Sequence, residues 1–72
     1  MMLKFTKLSE DASKVIYSIM DGVFGTAKYD KKNENVSFFD EYGFKFESSV
    51  TRIAFSKVVA AGFPNEYIYA TG

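Results

Sequence analysis

The chain contains no cysteine, no histidine and no tryptophan, and has a single proline and a single arginine, Arg52. Without cysteine there is no disulfide and no thiolate metal site. Without histidine the commonest general base and the usual nitrogen ligand for zinc are missing as well. Charge of one sign is also lacking: nine Lys and Arg balance nine Asp and Glu, for a net charge of zero. Such a chain has no global attraction for nucleic acid or for an anionic membrane. Long apolar runs are absent too. The opening MMLKFTKL is interrupted by Lys4 and Lys7, so neither a signal peptide nor a membrane span is expected, and a cytoplasmic protein is. No repeat, low-complexity segment or linker divides the chain, which reads as one α+β domain over residues 1–72.

A chain of 72 residues buries only about 60–65% of its unfolded surface and needs dense packing to hold together. Aromatic residues are the available means, with eight Phe and five Tyr. They concentrate in Val36–Ser48, VSFFDEYGFKFES. Asp40 and Gly43 stand at the first and fourth positions of a turn, where Asp bonds local backbone and Gly accepts positive φ. Phe44-Lys45-Phe46-Glu47 then alternates apolar and charged, the period of a half-buried strand. Placing Val36, Phe38, Phe44 and Phe46 in the core leaves Phe39 on the outer face.

Elsewhere, Leu3–Leu8 reads as a first strand. Ser9 is a helix N-cap, with Glu10 and Asp11 at the positive end of the dipole. Ala12, Val15, Ile16, Ile19, Met20 and Val23 form one helical stripe ending at Gly22 or Gly25, with Tyr17 on the wet side. Thr26–Tyr29 is a further strand and Asp30–Asn35 a polar connection. Ser48 or Ser49 caps a second helix along Val50, Ala54, Val58 and Ala61, which stops at Gly62 before Pro64. Glu66–Thr71 is a last strand. Ile68 and Ala70 suit the space under an alanine-rich helix, which turns Tyr67 and Tyr69 outward. The expected architecture is a two-layer sandwich with two helices on one face of a four- or five-stranded, mostly antiparallel sheet, in the order β-α-β-β-β-α-β, with a split β-α-β arrangement.

No residue set calls for catalysis, a cofactor or a metal. Asp40-Glu41 is turn chemistry, and the glycines of Gly22–Gly25 follow a helix, whereas a phosphate loop opens one. Gly43, Phe44 and Phe46 resemble part of the aromatic strand of an RNA-recognition motif, which would imply base stacking. Parity opposes it. Turning Phe44 and Phe46 outward would bury Lys45 and Glu47 at several kcal/mol, against about 1–3 kcal/mol per stacked base. The α-β-β-β-α middle also resembles a double-stranded-RNA-binding domain, but its second helix carries only Arg52 and Lys57 in place of a basic cluster. Lys28, Lys31 and Lys32 are the candidate phosphate contacts of this nucleic-acid alternative.

An exposed aromatic group remains, and a contiguous one marks a contact surface. The expectation is a non-enzymatic protein-binding module, a stoichiometric inhibitor, adaptor or modulator of the kind phages and mobile elements encode. Its contacts are Phe39, Tyr42, Lys45, Glu47, Tyr67 and Tyr69. A homodimer through an edge strand, with Glu66–Thr71 the candidate edge, is the neighbouring alternative.

Overall fold

Three aspartates turn the chain back on itself. The Asp11 carboxylate accepts the backbone N–H groups of Ser13 and Lys14, at 2.8 and 2.9 Å. Asp30 does the same for Lys32 and Asn33 at 2.9 and 3.2 Å, and Asp40 for Tyr42 and Phe44, both at 2.9 Å. Such bonds mimic a backbone turn and replace water at the exposed N–H groups. The computed structural model, which describes residues 1–71, strings antiparallel strands between these turns. They are β1 (Met2–Glu10), β2 (Lys14–Ile19), β3 (Gly25–Asp30), β4 (Asn35–Phe39) and the two-residue β5 (Lys45–Phe46). The helix α1 (Ser49–Ala60) and the strand β6 (Glu66–Ala70) follow. The sheet order is β5-β4-β3-β2-β1-β6, and every neighbouring pair is antiparallel.

The path of α1 follows from that order. Strands β5 and β6 lie at opposite edges of six strands, about 24 Å apart at the usual inter-strand spacing. The 12 residues of α1 supply about 18 Å of rise, and the link to Glu66 supplies the rest. The helix therefore crosses one face of the sheet. The Ser48 hydroxyl accepts the Thr51 N–H and caps the helix start. At the other end Gly62 has φ of 81° and donates to Val59, while Phe63 donates to Val58. This is a Schellman stop. Among the described residues no helix is long and apolar enough to cross a membrane.

This architecture corrects the expected one. Among the described residues there is one α-helix and not two, with only a three-residue 3-10 turn at Met20–Gly22 besides it; the sheet has six strands, and the order is β-β-β-β-β-α-β. No split β-α-β unit forms. The expected first helix is the β1–β2 hairpin. Ser9 caps nothing and pairs with Ile16 within the ladder. The stretch carries two periods at once: Val15, Ile16, Ile19 and Met20 fit a helix, while Val15, Tyr17 and Ile19 fit a strand. Its β-branched and aromatic residues suit the strand, and the Asp11 turn commits the chain to reversing before Val15. Val15, Tyr17 and Ile19 are all fully buried, so Tyr17 belongs to the core.

The core lies between α1 and the sheet. Strand positions Leu3, Phe5, Val15, Tyr17, Ile19, Ala27 and Phe38 meet Ala54, Phe55 and Val58 of the helix. Phe55 is the hub. Its ring lies 5.7 Å from those of Phe5 and Tyr17, 5.9 Å from Tyr29 and 6.3 Å from Phe38. These distances are in the range of favourable aromatic pairs, and most of the contacts are edge-to-face. The buried helix face is thus Thr51, Ala54, Phe55 and Val58, and Val50 is exposed.

Candidate functional site

The helix covers one face of the sheet and leaves the other open. Alternation assigns the residues. Register partners Leu3–Tyr69, Phe5–Tyr67, Tyr17–Ala27, Ala27–Phe38 and Phe38–Phe46 share the helix side. Their neighbours Thr6, Ser18, Thr26, Phe39 and Lys45 form one cross-strand row on the open side. A second row there contains Ile16, Lys28 and Ser37.

The two rows place three of the predicted residues together. Phe39 and Lys45 are direct register partners, and the Lys28 ammonium lies 4.9 Å from the centre of the Phe39 ring. A cation at that distance over an aromatic face is attracted by the ring quadrupole. Beside them lies a shallow cleft of about 370 Å³ lined by Lys14, Lys28, Asn35, Ser37 and Phe39. Lys14, Lys28 and Lys45 form no ion pair among the described residues, whereas Lys4 has both Asp21 and Glu66 within 4 Å. Asp30, also on the cleft, spends its carboxylate on its own turn. Bonds from Asn33 hold its pKa below the ordinary value. That carboxylate stays ionised, but Lys14, Lys28 and Lys45 outnumber it, so the surroundings of the Phe39 ring are net positive.

Further exposed apolar side chains gather at the end of the sheet that the Phe39–Lys45 pair closes. Phe39 and Lys45 form the last rung before the Asp40–Phe44 turn, where Tyr42 is 79% exposed and Phe44 71%. The β2–β3 connection lies at the same end of the sheet with exposed Val23 and Phe24, and there exposed Met1 precedes β1 and exposed Met2 begins it. The two connections touch. Gly25, with φ of 128°, lies so close to β4 that a Cβ there would be 1.8 Å from the Phe39 carbonyl oxygen.

Other predicted contacts lie elsewhere. Tyr67 and Tyr69 are on the helix side, half-buried against the core, while Ile68 and Ala70 face out. This reverses the expected parity. At the sheet edge the cover by α1 is incomplete, and a long amphipathic ring suits a half-buried place better than a small side chain does. Phe44 is also corrected. Its N–H is held in the turn by Asp40, so β5 begins only at Lys45. Phe46 keeps its inner place, stacked on Phe38 at 5.8 Å. Glu47 turns to α1, where its two oxygens accept from the Arg52 Nε and Nη2 at 3.0 and 2.7 Å. Those bonds hold its carboxyl below the usual range and raise the Arg52 guanidinium. Lys28, Lys31 and Lys32 do not form one cluster. Lys31 bonds Glu10 at 2.8 Å and lies over Phe63, while Lys32 sits in the Asp30 turn.

Sequence reasoning missed Lys14, Ser37, Phe24 and the exposure of Phe44. Val23-Phe24 between two glycines was the one signal for the second apolar loop. No protein-family model, no curated protein and no solved structure matches the chain.

Proposed function

We propose that this chain is a small non-enzymatic protein-binding module. It docks its partner on the open sheet face and the apolar end that continues it. Phe39, Tyr42 and Phe44 supply apolar contact, and Phe24 extends it. Lys28 and Lys45 flank that contact with unpaired positive charge, so the partner presents an apolar surface bordered by carboxylates. This suits a stoichiometric inhibitor, adaptor or modulator. The observation that carries the reading is the run from the Lys28–Phe39–Lys45 group to Tyr42 and Phe44 without an intervening buried residue. Exposed apolar residues gathered in this way suit a contact site, and aromatic anchors with a charged border give affinity and orientation respectively.

The test is capture of a partner from the native host by the tagged chain, compared with the Tyr42→Ser/Phe44→Ser double variant and with Lys45→Glu. Loss of one captured protein in both variants, with unchanged circular dichroism, supports the reading. Equal capture by all three refutes it. The same face also joins cations to an aromatic ring, as nucleic-acid surfaces do. Tight oligonucleotide binding that weakens steeply with salt would replace the protein partner with a nucleic acid.

A further inference from the structure

We infer that β6 pairs with β6 of a second copy of this chain, joining two six-stranded sheets into one of twelve strands, in a register centred on Ile68. This interaction is independent of the docking surface above, which lies on the open face and at the apolar end.

Among the described residues β6 is bonded on one side only, to β1. The Lys7 N–H donates to the Asn65 carbonyl and the Thr71 N–H to the Met1 carbonyl. The register between these points is unbroken. Bonded and non-bonded positions alternate in an antiparallel pair. The main-chain groups of Tyr67 and Tyr69 therefore face β1, and those of Glu66, Ile68 and Ala70 face away. Edges are normally blunted by a bulge, a proline, a lysine or shortness. The other edge, β5, has two residues. β6 has five residues, none of them proline, lysine or arginine, and its register shows no bulge.

A two-fold axis through Ile68 satisfies those free groups with a copy of themselves. Ile68 bonds its counterpart, and Glu66 bonds Ala70 of the second copy, six main-chain bonds in all by the antiparallel pattern. The charges agree. The only ionised side chain on β6 is Glu66, and this register sets it opposite Ala70 and away from its own copy. On the outer face Ile68, 53% exposed, meets a second Ile68. On the helix side Tyr67 meets Tyr69 of the copy, and both are half-buried on one flank already. The apolar row Leu3–Tyr69 would then continue into Tyr67 and Phe5 of the second chain.

The experiment is sedimentation equilibrium over a roughly hundredfold concentration range for the wild type, Ile68→Lys, Ile68→Glu and an equimolar mixture of the two variants. The wild type is expected to rise from 8.1 kDa towards twice that mass. Each variant alone sets like charges opposite each other across the axis and stays at the lower mass. The mixture recovers the higher mass, because Lys then faces Glu. Amide exchange on the wild type gives a second readout: protection of Glu66, Ile68 and Ala70 that grows with concentration. A wild type that keeps the single-chain mass throughout overturns the inference. So does a mixture that fails to associate when the wild type does, because the register is then not centred on Ile68.

Discussion

Replacing Tyr17 by Phe should produce a stability defect that shrinks and then reverses as the solution becomes alkaline. Tyr17 is fully buried in β2, and its hydroxyl donates to the Pro64 carbonyl at 2.6 Å. It thereby ties the middle of the sheet to the segment that leads into β6. Removing the hydroxyl deletes that bond and leaves a partly buried carbonyl with one partner fewer, a loss of about 1–2 kcal/mol near neutral pH. In a domain of this size that is a fall in Tm of roughly 4–8 °C per kcal/mol. Burial, and after it the charge of Glu10, pushes the Tyr17 phenol up from 10.0 to about 12. A folded pKa above the unfolded one gives stability that is whole below about pH 10 and is lost as pH rises towards 12. Two units correspond to roughly 2.7 kcal/mol at 1.36 kcal/mol each. Phe at this position has nothing to lose over that interval, and every other titrating group is common to both proteins. The wild-type advantage should therefore vanish near the middle of the interval and become a deficit of about 1 kcal/mol by pH 12. Urea midpoints followed by circular dichroism, from about pH 8 to about pH 11.5, measure the difference directly. A gap between the two proteins that stays constant with pH would refute the role given to Tyr17.

Two other perturbations follow from the turns. Gly25→Ala should cost more than about 3 kcal/mol, because its Cβ would meet the Phe39 carbonyl at 1.8 Å and the Asp40 backbone at 2.8 Å. Gly43→Ala, at a φ of 90° but with nothing within 4 Å, should lose only about 1 kcal/mol; thermal melts that rank the two the other way would contradict the contact between the connections. Acid should also destabilise the fold through its carboxylates. Asp11 and Asp30 are held below 3.8 by N–H donors, and Glu10 and Glu47 below 4.5 by Lys31 with Lys7 and by Arg52. That stability is whole above about pH 4.5 and falls as pH drops through the lowered values. Asp11→Asn and Asp30→Asn should weaken the fold at neutral pH yet flatten its acid titration, read by urea midpoints on either side of pH 4.

How legible the chain was depends on where local chemistry stands alone. The Asp40 turn, the outward Phe39, the serine cap at Ser48 or Ser49 and the Gly62 stop could all be read from sequence, since each rests on a few adjacent residues. The segment from Ser9 to Val23 misled because its apolar residues satisfy both periods. What separates them is the Asp11 turn and the distant bond from Tyr17 to Pro64, and spacing carries no trace of the latter. The terminal strand misled for a different reason. Tyr67/Tyr69 and Ile68/Ala70 alternate equally well, and only the register with Leu3 and Phe5 on β1 decides which pair goes under the helix. The candidate surface was accordingly half legible. Phe39, Tyr42 and Lys45 follow from the hairpin, while Lys14, Lys28 and Phe24 join them only through pairing of strands distant in sequence.

The ring of Phe55 touches side chains from four successive strands. Such a keystone couples the helix to β1, β2, β3 and β4 together. Lifting the helix exposes the centre of the sheet at once, and parting the central strands leaves the helix with nothing to rest on. The helix and these four strands are therefore expected to open as one cooperative unit, with similar amide-exchange protection across them.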